Sequence, residues 1–191
     1  MTIPTRILAF DPSINLTAAA LLLVEPKKAG PGQLGPFWTI RPNGDRLSDR
    51  VRDLLDEASE VIEKAHADVI VVEMPADRPM GNRRGFQRRS VLDLPNYGAA
   101  VGAVLAAAHS CGPSHQVAPS EDRPFQLLTP SACDWTLRDV PSSANDEYKE
   151  RRVRHVEALW RLKAGSLGAK TVAGNVADAM LLARWGSWRI A

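Results

Sequence analysis

The sequence predicts an α/β fold in which helices flank a mixed five-stranded sheet. Three observations predict it: three apolar strand segments come first, strand and helix segments then alternate, and helical segments close the chain of 191 residues. This order differs from the regular strand–helix alternation of doubly wound nucleotide-binding folds. The P-loop pattern GxxxxGK followed by Ser or Thr is absent, which argues against a P-loop ATPase.

The first half of the chain supplies four strands and one long helix. Apolar runs at 6–11, 16–24 and 37–40 predict three strands, and the turn-forming segments 26–35 and 42–44 favour antiparallel hairpins. Apolar residues then recur every three or four positions across 45–67, which predicts an amphipathic helix. The β-branched run at 69–73 is typical of a strand that is covered on both faces.

The second half alternates connections with helices. We expect a basic loop at 75–90, a helix at 97–110, a connection at 113–124, the fifth strand at 125–128, a helix at 145–163, a loop at 165–174 and a helix at 175–185. The length suits one domain, 1–191.

Composition indicates a globular cytoplasmic protein. Hydrophobic residues make up 45% and charged residues 24% of the chain, and no apolar run reaches the roughly 18 residues of a membrane span. Residues 1–6 lack the layout of a signal peptide. Cys111 and Cys133 lie far apart without metal-binding spacing, as in a reduced intracellular protein. The net charge of +2 does not by itself suggest a nucleic-acid partner.

Three acidic residues stand at positions that suit chemistry. Asp11 ends the first strand, Glu73 ends the fourth, and Asp178 lies in the last helix. An acid at the end of a buried strand is costly unless a cation or backbone amides compensate it. If the first and fourth strands are neighbours, Asp11 and Glu73 meet, and Mg²⁺ would relieve their repulsion. Two such ions about 4 Å apart can activate water and stabilise the leaving oxygen of a phosphodiester.

Each acid also has an ordinary explanation. Asp11 before Pro12 could form a turn, Glu73 could mark a strand exit, and Asp178 could pair with Arg184. Their joint placement, with a basic segment directly after Glu73, favours a functional site.

At these residues the chain resembles RuvC-type Holliday junction resolvases of phages and bacteria, which belong to the ribonuclease-H-like superfamily. Residues 7–13, Ile-Leu-Ala-Phe-Asp-Pro-Ser, resemble the first motif, and 69–73 resembles the second. Residues 177–186 are similar to the Ala-Asp-Ala helix that closes these enzymes, and 128–130 with Trp135 match the segment after the fifth strand. The resemblance keeps the motif order over nearly the whole chain and implies a ribonuclease-H-like fold.

The resemblance implies a crossover junction endodeoxyribonuclease. Such an enzyme is a homodimer that nicks four-way DNA junctions and leaves 5′-phosphates. The implied catalytic and metal-binding residues are Asp11, Glu73 and Asp178, which would hold two Mg²⁺ ions, with Mn²⁺ as an alternative. Asn175 stands where the family has Asp or His; its oxygen can bind Mg²⁺, but it cannot take up a proton.

Basic residues outside the acidic cluster are the candidate DNA contacts. Residues 78–89 carry five arginines without an acid, and arginine binds phosphate bidentately. The resemblance implies that Phe86 stacks on a base at the junction; the alternative is a solvated loop with Phe86 in the core. Lys149 and Arg152 could equally form ion pairs with nearby glutamates. The candidate DNA-contacting residues are Ser13, Arg83, Arg84, Phe86, Arg88, Arg89, Lys149, Arg152 and Lys170.

Other functions compete with a junction resolvase. A related nuclease would act on flaps, forks or RNA–DNA hybrids, and Asn175 raises the alternative of a non-catalytic junction-binding protein. A sugar-kinase-like or actin-like enzyme also starts with an apolar strand and an acid, but its two lobes need a longer chain. The small residues of 97–108 suit either packing on the sheet or, by the resemblance, a twofold dimer interface.

Overall fold

A computed structural model describes residues 3–25, 30–74, 93–115, 124–131 and 147–190. The strands are β1 (Thr5–Asp11), β2 (Thr17–Val24), β3 (Gln33–Ile40), β4 (Val69–Val72) and β5 (Gln126–Leu128). The α-helices are α1 (Leu47–Ala65), α2 (Asp93–Cys111), α3 (Glu147–Leu159) and α4 (Lys170–Ser187), and a short 3₁₀ helix spans Gly112–Ser114.

The five strands form one mixed sheet in the order β3-β2-β1-β4-β5. β1 pairs antiparallel with β2, and β2 pairs antiparallel with β3, as the two hairpins predict. β4 lies parallel to β1 on one side and to β5 on the other. The predicted mixed five-stranded sheet is confirmed, and the strands that end in Asp11 and precede Glu73 are direct neighbours.

Alternation along β1 separates two cores, one on each face of the sheet. Ile7 and Ala9 point to the face covered by α4 and by Val156 of α3. Leu8 and Phe10 point to the opposite face, which α1 and α2 cover. Because side chains alternate along a strand, every second residue belongs to the same core.

Helix α1 forms where the apolar period predicts it. Its buried residues recur at helical spacing and face the α1–α2 core; they are Leu54, Ala58, Val61, Ile62 and Ala65. His66 ends the helix in the left-handed region, at φ 48°, and its backbone N–H donates to Ile62 O. The short link to β4 brings Asp68 beside the start of β1.

The last helix is longer than the sequence predicts. The expected loop at 165–174 is wrong in its second half, because α4 begins at Lys170 and includes Gly174. A Cβ at Gly174 would lie 3.0 Å from Cδ of Lys149, so this glycine leaves room for the lysine stem inside the helix pair. Gly186 has a similar function at the other end, where a Cβ would lie 2.7 Å from Cγ2 of Val71. Both glycines permit close packing and do not break the helix.

Two further boundaries also move outward. α2 starts at Asp93 and contains Pro95 in its first turn, where a proline needs no amide partner. β3 starts at Gln33, inside the predicted loop at 26–35.

The β2–β3 connection contains the glycine pattern of dinucleotide-binding enzymes, but not in the structural context that those enzymes require. Residues 30–35, Gly-Pro-Gly-Gln-Leu-Gly, match the letters GxGxxG. That fingerprint requires a helix after the glycines, whereas here an antiparallel strand follows them. Gly30 and Gly32 have φ values of 141° and 79°, so they serve a turn.

Over the described ranges, no helix is long and apolar enough to cross a membrane.

Candidate active site

The site begins with two carboxylates at the carboxyl ends of β1 and β4. The last aligned pair of these parallel strands is Phe10 with Val72, and the backbone N–H of Glu73 donates to Phe10 O at 3.1 Å. Asp11 and Glu73 are therefore the next pair in register, and both continue the alternation toward the α4 face. Their side chains are close enough for Glu73 to raise the pKa of Asp11.

This arrangement makes the charged form of Asp11 costly. Burial raises the pKa of Asp11 well above its ordinary value, and repulsion from Glu73 and Asp178 raises it further. The ammonium group of Lys149 acts in the opposite direction and lowers this pKa. Glu73 is only 6% exposed, so bulk water relieves little of the repulsion. A shared proton or a cation would relieve the repulsion between the two carboxylates.

Helix α4 presents Asp178 and Asn175 to this pair. The two residues are three positions apart on the helix, so their side chains share one face. Asp178 is 6% exposed, and burial raises its pKa while Arg152 and Lys149 lower it. The structure thus brings the three predicted acids into one electrostatic cluster.

Helix α3 faces these two residues with two cations at the same spacing. Lys149 Nζ donates to Asn175 Oδ1 at 3.0 Å, and Arg152 Nη1 donates to Asp178 Oδ1 in a buried ion pair. Each partner is 26 positions further along the chain, so the pairs form two parallel rungs between α3 and α4. Asn175 Nδ2 also donates to Leu16 O at 3.2 Å.

These two contacts involve side chains that the sequence predicts as metal ligands. The carbonyl oxygen of Asn175 is turned toward Lys149, and Asp178 is engaged by a guanidinium. Within the part of the chain that the structure describes, no three His, Cys, Asp or Glu side chains form a group that could hold a metal ion. Asp11 and Glu73 nevertheless form a carboxylate pair, because they follow the last aligned residues of two neighbouring parallel strands.

The other DNA-contact candidates that the structure describes are Ser13, Lys149 and Lys170. Ser13 sits in the β1–β2 turn, where its backbone N–H donates to Thr17 Oγ1 at 2.9 Å and its carbonyl accepts from the same hydroxyl at 2.8 Å. Lys149 and Lys170 are exposed, and Lys170 forms an ion pair with Glu150 at 2.6 Å. That ion pair lowers the pKa of Glu150.

The remaining candidates fall elsewhere or have another partner. Arg83, Arg84, Phe86, Arg88 and Arg89 lie outside the described residues, so their assignment to DNA stays a prediction. Arg152 is buried beside Asp178 and does not lie on an open basic surface.

Sequence reasoning missed the pairing of Arg152 with Asp178. It considered Arg184 as the partner of Asp178, because Arg184 is close in sequence. The available signal was the repeated spacing: Lys149 and Arg152 are separated by three residues, as are Asn175 and Asp178. Equal spacing on two packed helices permits two matching contacts.

Comparison with known proteins supports the fold. Thermus thermophilus RuvC superimposes with a TM-score of 0.65 at 18% identity, over 97% of this chain and 95% of that chain. T. thermophilus RuvC in complex with a Holliday junction substrate gives a TM-score of 0.64 at 17% identity, over 97% and 94% of the two chains. No family model matches the sequence, and no curated protein matches it. The chain therefore has the ribonuclease-H-like fold of RuvC, as its motif order predicts.

Proposed function

We propose that this protein is a structure-selective DNA endonuclease that resolves four-way junctions by metal-dependent hydrolysis of phosphodiesters, leaving 5′-phosphates. The observation that carries the proposal is the Asp11–Glu73 carboxylate pair at the ends of two parallel strands, facing Asp178 in a RuvC-like fold. One similar structure was solved with a Holliday junction substrate, which favours branched DNA as the substrate class.

The residues present suit a divalent cation. Asp11 and Glu73 offer hard oxygen donors, and burial together with repulsion from Glu73 raises the pKa of Asp11. These two residues would hold Mg²⁺ or Mn²⁺. A bound ion would supply Lewis-acid stabilisation of phosphate charge and a lowered pKa for an attacking water.

Lys149 and Asn175 have different roles in this proposal. Lys149 is exposed and hydrogen-bonded to Asn175, so its ammonium group stands beside the acids where it could donate to a phosphate oxygen. Asn175 holds that lysine and links α4 to the β1–β2 turn through Leu16 O. We assign no proton transfer to Asn175, because an amide cannot act as a general base.

A substrate with two equivalent strands suits a twofold homodimer. On α2, Gly98 and Gly102 are exposed, and a Cβ added to either would have no neighbour within 4 Å. This helix face is our candidate for the dimer interface. We further propose that the protein works as one domain in the cytoplasm of a bacterial or phage-infected cell.

The decisive experiment compares a labelled four-way junction with a linear duplex of the same sequence. Each is incubated with Mg²⁺, Mn²⁺ or EDTA, beside a flap, a fork and an RNA–DNA hybrid. We expect metal-dependent cutting of the junction and little cutting of the duplex. Preferred cutting of flaps, forks or hybrids would identify a related nuclease, and junction binding without cutting in any metal would identify a binding protein.

The basic segment at 78–89 has its own test. Joint replacement of Arg83, Arg84, Arg88 and Arg89 by Ala should weaken junction binding and lower the slope of log affinity against log salt by about one per lost phosphate contact. Phe86→Ala should cost about 1–3 kcal/mol of junction binding with an unchanged slope, because stacking releases no counterions. Failure of Phe86→Ala to fold would instead place that ring in the core.

A further inference from the structure

The connector between β3 and α1, residues 41–46, lies at the same end of the sheet as the carboxylate pair. β3 is antiparallel to β2, and β2 is antiparallel to β1, so β3 and β1 run in the same direction. In the register of the two hairpins, Asp11 pairs with Ala18, and Ile40 pairs with Thr17. Because neighbouring strands are about 4.8 Å apart, the end of β3 lies about 10 Å from the end of β1.

The β1–β2 turn joins this connector to the acidic cluster. On one side of the turn, Asn175 Nδ2 donates to Leu16 O at 3.2 Å. On the other side, Arg50 Nη1 donates to Asn15 Oδ1 at 3.1 Å, and Arg50 Nε donates to Gly44 O at 2.9 Å. One arginine thus fixes the connector against the turn, so direct contacts set the position of the connector relative to the carboxylates.

The connector carries two exposed arginines, Arg41 and Arg46. Among the residues that the structure describes, neither side chain has a hydrogen bond or an ion pair, and Arg50 has no carboxylate partner. A guanidinium stays charged in proteins, and an exposed one can bind a phosphate group bidentately. The connector therefore presents two positive groups that are free to bind an anion.

The acidic residues near the connector do not cancel these charges. Residues 41–53 contain four arginines and three aspartates. Asp53 Oδ2 accepts the backbone N–H of Asn43 at 2.6 Å, and Asp49 forms an ion pair with Arg52 at 3.4 Å. Both of these aspartates are half-buried, which leaves Asp45 as the exposed acid of the connector. The exposed charge of the connector is therefore positive.

The position of these arginines favours the backbone of a DNA strand as their partner. A strand that lies on the Asp11–Glu73 pair continues past it in both directions, and the connector stands on the β3 side of the pair. The rise of 3.4 Å per nucleotide makes the distance of about 10 Å equal to about two to three nucleotides. Phosphates of the same strand thus reach the connector.

We propose that Arg41 and Arg46 bind backbone phosphates of the DNA strand that lies on the Asp11–Glu73 pair, about two to three nucleotides from the pair. This inference rests on the proposed function, because it takes that strand as the substrate. It adds phosphate contacts from the β3–α1 connector to the candidate contacts that the sequence predicts in other segments.

The first test measures junction affinity in EDTA at several salt concentrations, so it does not depend on cleavage. Arg41→Ala/Arg46→Ala should lower the slope of log affinity against log salt by about two and weaken binding at about 0.1 M salt by at least about tenfold. Arg41→Lys/Arg46→Lys should keep the slope, because both charges remain. The matched control is Arg52→Ala, which removes an exposed arginine of α1 that is paired with Asp49; its slope should equal that of the wild type.

The second test locates the contacts with the wild-type protein, so it does not require a variant to fold. Single methylphosphonates, each of which removes one phosphate charge, are placed along one junction strand, and binding is measured for each position. We expect a loss of about threefold to tenfold at about two to three nucleotides from the nicked phosphodiester. This loss should disappear in Arg41→Ala/Arg46→Ala. Equal losses at every position in both proteins would overturn the proposal.

Cleavage of the same junction in Mg²⁺ separates this inference from the proposed function. A reduced slope in Arg41→Ala/Arg46→Ala, together with no cleavage by the wild type, would refute the nuclease and leave the phosphate contacts intact. Cleavage by the wild type, together with unchanged slope and affinity in that double variant, would refute the phosphate contacts and leave the nuclease intact.

Discussion

Carboxylates are buried at both ends of the β1–β4 strand pair, but the groups that surround them differ. At the amino end, Asp68 is 4% exposed, and its Oδ2 accepts the backbone N–H of Arg6 at 2.8 Å. The Arg6 side chain donates to Ala65 O at 2.9 and 2.7 Å, so this end is tied together by complementary groups. At the carboxyl end, Asp11 meets Glu73, a second acid. A buried carboxylate with donors supports the fold, whereas two that face each other repel, and a cation would stabilise them.

The largest effect that separates the two ends concerns cleavage. Asp11→Asn, Glu73→Gln and Asp178→Asn should each lower single-turnover junction cleavage at least about a hundredfold, because each removes charge from the proposed catalytic cluster. Junction binding should persist, since the proposed phosphate contacts come from basic residues and not from these acids. Asp68→Ala should cleave at a near wild-type rate per folded molecule. A near wild-type rate in any of the first three variants would remove that residue from the catalytic group.

Substitutions of the carboxylates at the two ends should have different effects on the free energy of unfolding. Asp68→Ala should cost about 1–3 kcal/mol in the free energy of unfolding, because the amide of Arg6 loses its buried acceptor. Asp11→Asn should leave this free energy unchanged or raise it, because it removes repulsion with Glu73. Urea unfolding in EDTA measures both. If Asp11→Asn were as unstable as Asp68→Ala, the carboxyl end would be structural too.

The dependence of stability on pH and metal sharpens the same contrast. The pKa of Asp11 is raised in the folded protein. Its stabilising contribution to the free energy of unfolding is therefore fully present below the ordinary pKa of 3.8 and is lost as pH rises through the higher folded value. In EDTA, we expect the melting temperature to fall across that window in the wild type and to change less in Asp11→Asn.

Mg²⁺ at neutral pH should then restore the wild-type melting temperature. An ion at about a hundred times its dissociation constant adds about 2.7 kcal/mol to the free energy of unfolding. Asp11→Asn should show little of this gain, whereas Asp68→Ala should show it in full. An equal gain in both variants would place the ion away from the carboxyl end.

The smallest expected effect lies at the border of the cluster. Asn175→Asp should raise metal affinity or shift the metal optimum, because it adds a charge beside Asp178. Asn175→Ala should weaken cleavage modestly, because Lys149 and Leu16 O both lose their partner. Metal titrations of cleavage for the three forms test this, and superimposed curves would exclude Asn175 from the site.

Much of the fold and part of the site follow from the amino-acid sequence alone. The strand segments around Asp11 and Glu73 follow from their apolar runs, and the adjacency of these strands, on which the meeting of the two acids depends, is confirmed. Lys149 and Arg152 are harder to interpret. Both stand among glutamates on a charged helix, and nothing local indicates that one is exposed while the other is buried against Asp178.

The sequence by itself determined which segments form strands and helices and which acids stand at strand ends. These properties depend on periods of two and 3.6 residues, which neighbours along the chain set locally. Only the tertiary structure decided that Arg152 compensates Asp178 and that Asn175 faces Lys149. Those pairings depend on the rotation and register of α3 against α4, which packing through Val156 on the sheet sets, and contacts between residues 26 positions apart leave no local pattern.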